Sequence, residues 1–372
     1  MDRKPSVQPT PRPPWTNRYK DNWDEAYARL MAWWAGDGLD RPIVVTSHRR
    51  PGAPKFQPTR DPGSPEARDL NEEYRLEANR YYLENRWFPA ESAPYAGTQY
   101  ASALGMLAAM VGARISYTPD TGTAWIQEEA DVYDRPLAEF DPACPPYAFA
   151  LRMLQRNHEA FGYDAILSTN DMLDPLTTLS MMRGAAGLCI DLLERPEAVT
   201  RWCDRAGELF VKIVTGLRQA RAALGRSEHF NWTQHWAPGH VEALQCDFSA
   251  MLSPAMFRRF VLPEIERQAA IYDYALWHLD GEQEIVHLDD ICSVPRIRAI
   301  QWVDGRKLGP LNYIDLFRKV RRLGRPLTLS VRSADEAVEV ARRVGKDGLS
   351  FTLAWAPTEK ELEDMLRRLK EV

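Results

Sequence analysis

From Asp164 to the C-terminus, short apolar runs alternate with longer amphipathic stretches, and this alternation leaves few folds open to the chain. The runs 165–168, 230–233, 243–246, 274–279, 297–303, 327–331 and 349–353 are short and rich in apolar residues. Strands buried on both faces, as in parallel sheets, have that pattern. Segments of helical period, 178–194, 196–224, 254–271, 312–323, 333–344 and 358–371, fall between and after them. Several carry start signals: Ser253-Pro254 supplies an N-cap with Pro at the first helical position, and Ser333…Glu336 and Thr358…Glu361 match the capping box. Repeated strand–helix units imply a parallel sheet with helices outside.

Upstream, Trp23, Tyr27, Leu30, Trp33 and Trp34 recur at helical spacing over 22–37, and Gly36-Asp37-Gly38 ends that helix. The β-branched run 42–47 follows, then helices over 66–86 and 98–112. Counting the run at 42–47 gives about eight strands, so the expected fold is α/β, a (β/α)8 TIM barrel with an N-terminal helical extension. A single domain over 21–372 suits that fold, with residues 1–20 as a flexible Pro-rich tail. The segment Met1–Pro14 has no apolar stretch of the secretory type. A net charge of −5 argues against a nucleic-acid surface, and no apolar run reaches the roughly 18 residues of a membrane span. Five scattered cysteines without a CxxC pair fit a reduced, cytoplasmic protein. No Gly-rich phosphate loop and no GxSxG elbow is present, so nucleotide and serine-hydrolase chemistry have no support.

Chemistry in such folds sits at the C-terminal ends of strands. The run 274–279 leads into Trp277-His278-Leu279-Asp280-Gly281, and His287-Leu288-Asp289 follows. Alternation along a strand places His278 and Asp280 on one face. They form the central acid–base pair or, alternatively, ligands to Zn2+, which accepts imidazole nitrogen and carboxylate oxygen. Asp247 and Glu91 are the residues expected to orient substrate or move protons, and Arg49 the one to hold an anionic group. Asp171, Trp87, Trp236, His235, His287, Gln301 and Arg332 complete the expected pocket, with Gln245 and Trp232 on nearby predicted strand ends. Plainer roles stay open: Asp171 as a helix cap, Asp247 as a loop anchor, Arg49 as a solvated surface charge. Carboxylates, imidazoles and aromatic walls together suit a small polar molecule and proton transfer. A Trp-lined pair such as Glu91 and Asp280 also suits a glycosidase.

The block Cys246-Asp-Phe-Ser-Ala-Met-Leu-Ser-Pro-Ala-Met-Phe-Arg-Arg-Phe-Val-Leu-Pro-Glu264 resembles the uroporphyrinogen decarboxylase superfamily, in which an SP-x-x-F helix follows an Asp-bearing strand end. The segments 191–199, 349–353 and 356–359 are similar to its helix–Pro–helix and C-terminal segments. His278-Leu-Asp-Gly281 stands where its cobamide methyltransferases carry His-x-Cys-Gly. The likeness covers 160–372 well and 20–130 loosely. It implies a TIM barrel, commonly dimeric, with methyltransferase-like activity on a small polar substrate, a corrinoid protein as partner and zinc as cofactor. In that branch zinc is held by the His and Cys of the motif and by a Cys in the last strand. Here His278 matches, Asp280 replaces the first Cys, and the region near Leu353 lacks the second. In the decarboxylase branch an Arg-rich N-terminal motif grips substrate carboxylates, and Ser47-His48-Arg49-Arg50 is its loose counterpart. The alternatives are a lyase or decarboxylase, and a non-catalytic protein that binds a metabolite or corrinoid.

Overall fold

The computed structural model describes residues 12–98, 104–118, 121–130, 132–134, 137, 139–169 and 171–372. At its centre six parallel strands run in the spatial order Ile43–Val45, Leu349–Leu353, Leu327–Val331, Ile297–Val303, Tyr274–Asp280 and Val241–Leu244. Five of the six follow one another in sequence and in space, with helices in the connections, as the alternation predicts. Their apolar runs are buried on both faces; in Tyr274–Asp280 only the last residue is exposed. The strands predicted at 297–303, 327–331 and 349–353 form over those residues.

A second parallel pair, Tyr95–Gly97 with Ile166–Ser168, lies beside this sheet. Glu91 N–H donates to Val44 O (3.2 Å) on one side, and Ser168 Oγ donates to Phe230 O (2.7 Å) on the other. Among the described residues, no strand ladder joins the pair to the six-stranded sheet. The fold is therefore α/β around a parallel sheet, and its continuous ladder spans six strands rather than eight.

Several elements differ from expectation for identifiable reasons. The strand predicted at 230–233 is a short hairpin, His229–Phe230 with Trp236–Ala237, because Gln234 turns the chain at φ +66°. The predicted helix 178–194 is two helices, Pro175–Arg183 and Ala185–Glu194, parted at Gly184. The 254–271 helix is also split, into Pro254–Phe260 and Leu262–Ala269, where Pro263 cannot donate a backbone hydrogen bond. The helix expected over 98–112 is Gly105–Met110, with 99–103 outside the described residues. The strand Tyr95–Gly97 and the helix Pro145–Phe161 had no counterpart in the sequence reading.

The expected tail is a correction. Trp15 is buried, stacks on Trp23 at 4.4 Å between ring centroids and meets Trp236 edge-on at 5.2 Å. Lys20 Nζ, also buried, donates to Ala90 O (2.7 Å). Residues 12–20 are thus packed against the body of the fold, while 1–11 lie outside the described residues. Among the described residues no single helix is long and apolar enough to cross a membrane.

Candidate active site

The site is built where three neighbouring strands end. The strand Tyr274–Asp280 places His278 in register with Gln301 of Ile297–Val303. His278 Nδ1 donates to Gln301 Oε1 (2.7 Å), which leaves Nε2 as the ring's acceptor in the neutral form. Trp232 packs edge-on against the imidazole, 4.9 Å between centroids. After Asp280 the chain reverses at Gly281, whose φ of +85° is disfavoured for any residue with a Cβ. The following turn returns Glu284 beneath the strand end. There it accepts from Asp280 N–H (3.0 Å) and from Ser249 Oγ (2.8 Å).

Ser249 belongs to the turn Asp247–Met251, which follows Val241–Leu244. Its carbonyl accepts from His287 Nε2 (3.1 Å), and His287 stacks on Phe257 at 4.2 Å. The two turns are therefore held together by Glu284 from one side and His287 from the other. Asp247, His278, Asp280 and Glu284 form one electrostatic cluster. Burial pushes the Glu284 carboxyl up to about 8; its two hydrogen bonds oppose this, and the charges of Asp247 and Asp280 add to it. Asp247 is exposed, yet the protein around its carboxylate still raises its pKa, with His278 opposing and Asp280 reinforcing the rise.

Beside the cluster opens a cavity of about 590 Å³. Asp171, Leu173, Trp232, Gln245 and Asp247 line one side, and Asp69, Leu104 and Thr121–Ala124 the other. Asp171 does not cap the next helix: Asp174 does, accepting from Leu176 and Thr177 N–H (2.9 and 3.0 Å). Asp171 is left facing the cavity, where burial pushes its pKa up to about 6.

Other expected site residues lie elsewhere. Glu91 is fully buried and spent on Arg41, Arg29 and Val44 N–H, so it faces no pocket and cannot pair with Asp280 across a substrate. Trp236 is in the aromatic core with Trp15 and Trp23. His235 stacks on Trp33 and bonds Ser350 Oγ (2.9 Å); burial lowers its pKa to about 4. His287 is buried behind the site and supports it rather than lining it. Arg49 is exposed and bonds Ala53 O, while Trp87 pairs with His48 in a two-residue antiparallel ribbon. Arg332 pairs with Glu336 at the rim of a separate cavity of about 320 Å³. Packing or hydrogen bonding claims Glu91, Trp236, His235 and His287, and Arg332 is held by its ion pair. Glu284 was missed, although an acidic residue four positions after a strand-end Asp, across a Gly turn, was a usable signal.

Among the described residues, no group of three or more His, Cys, Asp or Glu is placed to hold a metal ion. Cys246, adjacent to the cluster in sequence, is buried and accepts from Thr177 Oγ1 (3.8 Å), and burial holds its pKa well above the usual thiol value. With no such group gathered, the described residues do not fit a zinc centre that activates a thiol.

No protein-family model matches the chain, and no curated protein matches it. Among solved structures it is similar to a methyltransferase from Methanosarcina mazei, with a TM-score of 0.53 at 16% identity, over 93% of this chain and 98% of that one. At that identity the likeness speaks to the fold.

Proposed function

We propose that this protein is a methyltransferase-like enzyme acting on a small polar substrate, with proton transfer at the strand end His278–Asp280. The observation that carries the proposal is the convergence of Asp247, His278, Asp280 and Glu284 beside a substrate-sized cavity at the ends of adjacent parallel strands. Similarity in fold to a methyltransferase supports it. On this reading the strands Tyr95–Gly97 and Ile166–Ser168 complete a (β/α)8 barrel of the uroporphyrinogen decarboxylase superfamily.

In methyl transfer the bond between the methyl group and its donor breaks as the X–CH3 bond forms, the donor departs with that bond's electron pair, and the acceptor X–H gives up its proton. His278 Nε2, with Nδ1 committed to Gln301, is the base for that proton, and Asp247 and Asp280 stabilise the imidazolium. Glu284 holds the Asp280 backbone in place and keeps a proton near neutral pH. A decarboxylase reading is less favoured: among the described residues the cavity lining has no Lys or Arg to grip substrate carboxylates.

The test is corrinoid-dependent methyl transfer, followed as conversion of methylcobalamin in the presence of candidate acceptors. Asp280→Asn is expected to abolish turnover with melting nearly unchanged. An active D280N protein would remove Asp280 from the chemistry and the proposal with it.

A further inference from the structure

The cavity beside the cluster carries a pattern of charge and hydrogen bonding that goes further than the reaction class. Gln245 is only 8% exposed and lines the cavity, and among the described residues its side-chain amide has no hydrogen-bond partner. Its amide atoms are open to the cavity rather than sealed from it, so both its donor and its acceptor are free for a ligand. Asp171 and Asp247 also line the cavity, and among the described residues no Lys or Arg pairs with either carboxylate. The third acid of the lining, Asp69, is already bound by Arg75 and by Tyr117 (2.8 Å). The indole of Trp232 is 38% exposed and lines the cavity between these groups. Two unneutralised carboxylates, an open indole and a free amide complement a compact positive charge that also carries a hydrogen-bonding group.

We infer that the ligand of this cavity is a small organic ammonium ion, held by Asp171 and Asp247, faced by Trp232 and hydrogen-bonded by Gln245. The inference rests on the cavity being the substrate pocket of the proposed enzyme and names its substrate class. An anionic substrate would add to the negative field; a neutral one would leave both carboxylates unneutralised. A divalent metal is the less suitable cation, because no group of three ligating side chains is gathered among the described residues.

Isothermal titration calorimetry on the full chain tests this with choline, its neutral isostere 3,3-dimethylbutan-1-ol, acetate and MgCl2. Choline is expected to bind at least tenfold more tightly than the isostere, and acetate not at all. Asp171→Asn should weaken choline about tenfold or more, the usual loss for a charge-assisted contact. Gln245→Leu should weaken it less; circular dichroism of both variants reports their folding. Choline affinity should rise as pH increases through about 6, where Asp171 ionises. Equal binding of the isostere, preference for acetate, an unaffected and folded D171N protein, or stoichiometric displacement of choline by Mg2+ would each overturn the inference. The Asp280→Asn protein separates this inference from the proposed reaction. Choline selectivity with undiminished turnover in D280N would sink only the reaction. Lost turnover without choline selectivity would sink only the ligand class.

Discussion

Replacing Glu91 by Gln separates a structural carboxylate from a catalytic one. Glu91 is fully buried; its Oε1 accepts from Arg29 Nε and Arg41 Nη2, both at 2.8 Å. Its Oε2 accepts from Arg41 Nη1 (3.0 Å) and Val44 N–H (2.8 Å). Arg41 is only 3% exposed and has one further acceptor, Pro42 O (2.9 Å). A Gln side chain keeps the shape but loses the charge, and its NH2 must face donors that the carboxylate had satisfied. Removing one partner of a buried ion pair costs about 3–5 kcal/mol, because the other charge is left uncompensated. With unfolding entropy of about 2.1 cal/mol/K per residue, a chain of 372 residues loses about 4–6 °C of melting temperature for that cost. Differential scanning calorimetry and a turnover assay at 20 °C decide the matter. The expected result is a drop of that size with turnover per folded molecule retained. An unchanged melting temperature combined with lost turnover would refute the structural assignment and return Glu91 to the chemistry.

Two further outcomes follow from the packing and the electrostatics. The Glu284 carboxyl, at about 8 in the fold against an ordinary 4.5, keeps its proton through a window in which the unfolded chain has lost it, so it makes stability fall as pH rises from about 4.5 to about 8. Urea midpoints at pH 5 and pH 8 should differ less in Glu284→Gln than in the parent, and an equal difference would deny the raised pKa. Trp15→Ala should cost about 3–5 kcal/mol, since it empties a site between Trp23 and Trp236. A cost near zero in chemical denaturation would mean that the segment is only draped.

The sheet was legible because burial on both faces writes itself into composition. Ile297–Val303 is apolar at five of its seven positions, and Leu349–Leu353 alternates apolar residues with the small polar Ser350 and Thr352; few other folds set such runs between amphipathic helices. The pair Tyr95–Gly97 was not legible: three residues containing Ala and Gly carry no strand signal, and their pairing with Ile166–Ser168 is set by contacts about seventy positions away. Helix breaks were half visible. Pro263 was readable in advance, whereas Gly184 marks a break only once its φ of +78° is known.

The candidate site was legible in its strand-end members, whereas Glu91, Trp236 and His235 are spent on packing and ion pairs elsewhere. His278 and Asp280 follow from alternation and Gly281, and register then supplies Gln301 as the partner of His278. Glu91 and Asp171 look equivalent in sequence, each an acid just beyond a short apolar run. What separates them is the count of cations within reach. Arg29, from the helix Trp23–Ala35, and Arg41, just before the strand Ile43–Val45, converge on Glu91, so its charge is neutralised and it cannot serve a ligand. Among the described residues no Lys or Arg reaches Asp171, so its charge must be protonated away or met by something that enters the cavity. A carboxylate is a candidate for function in proportion to what the fold leaves unpaired around it, and that quantity is set by tertiary contacts between segments far apart in the chain.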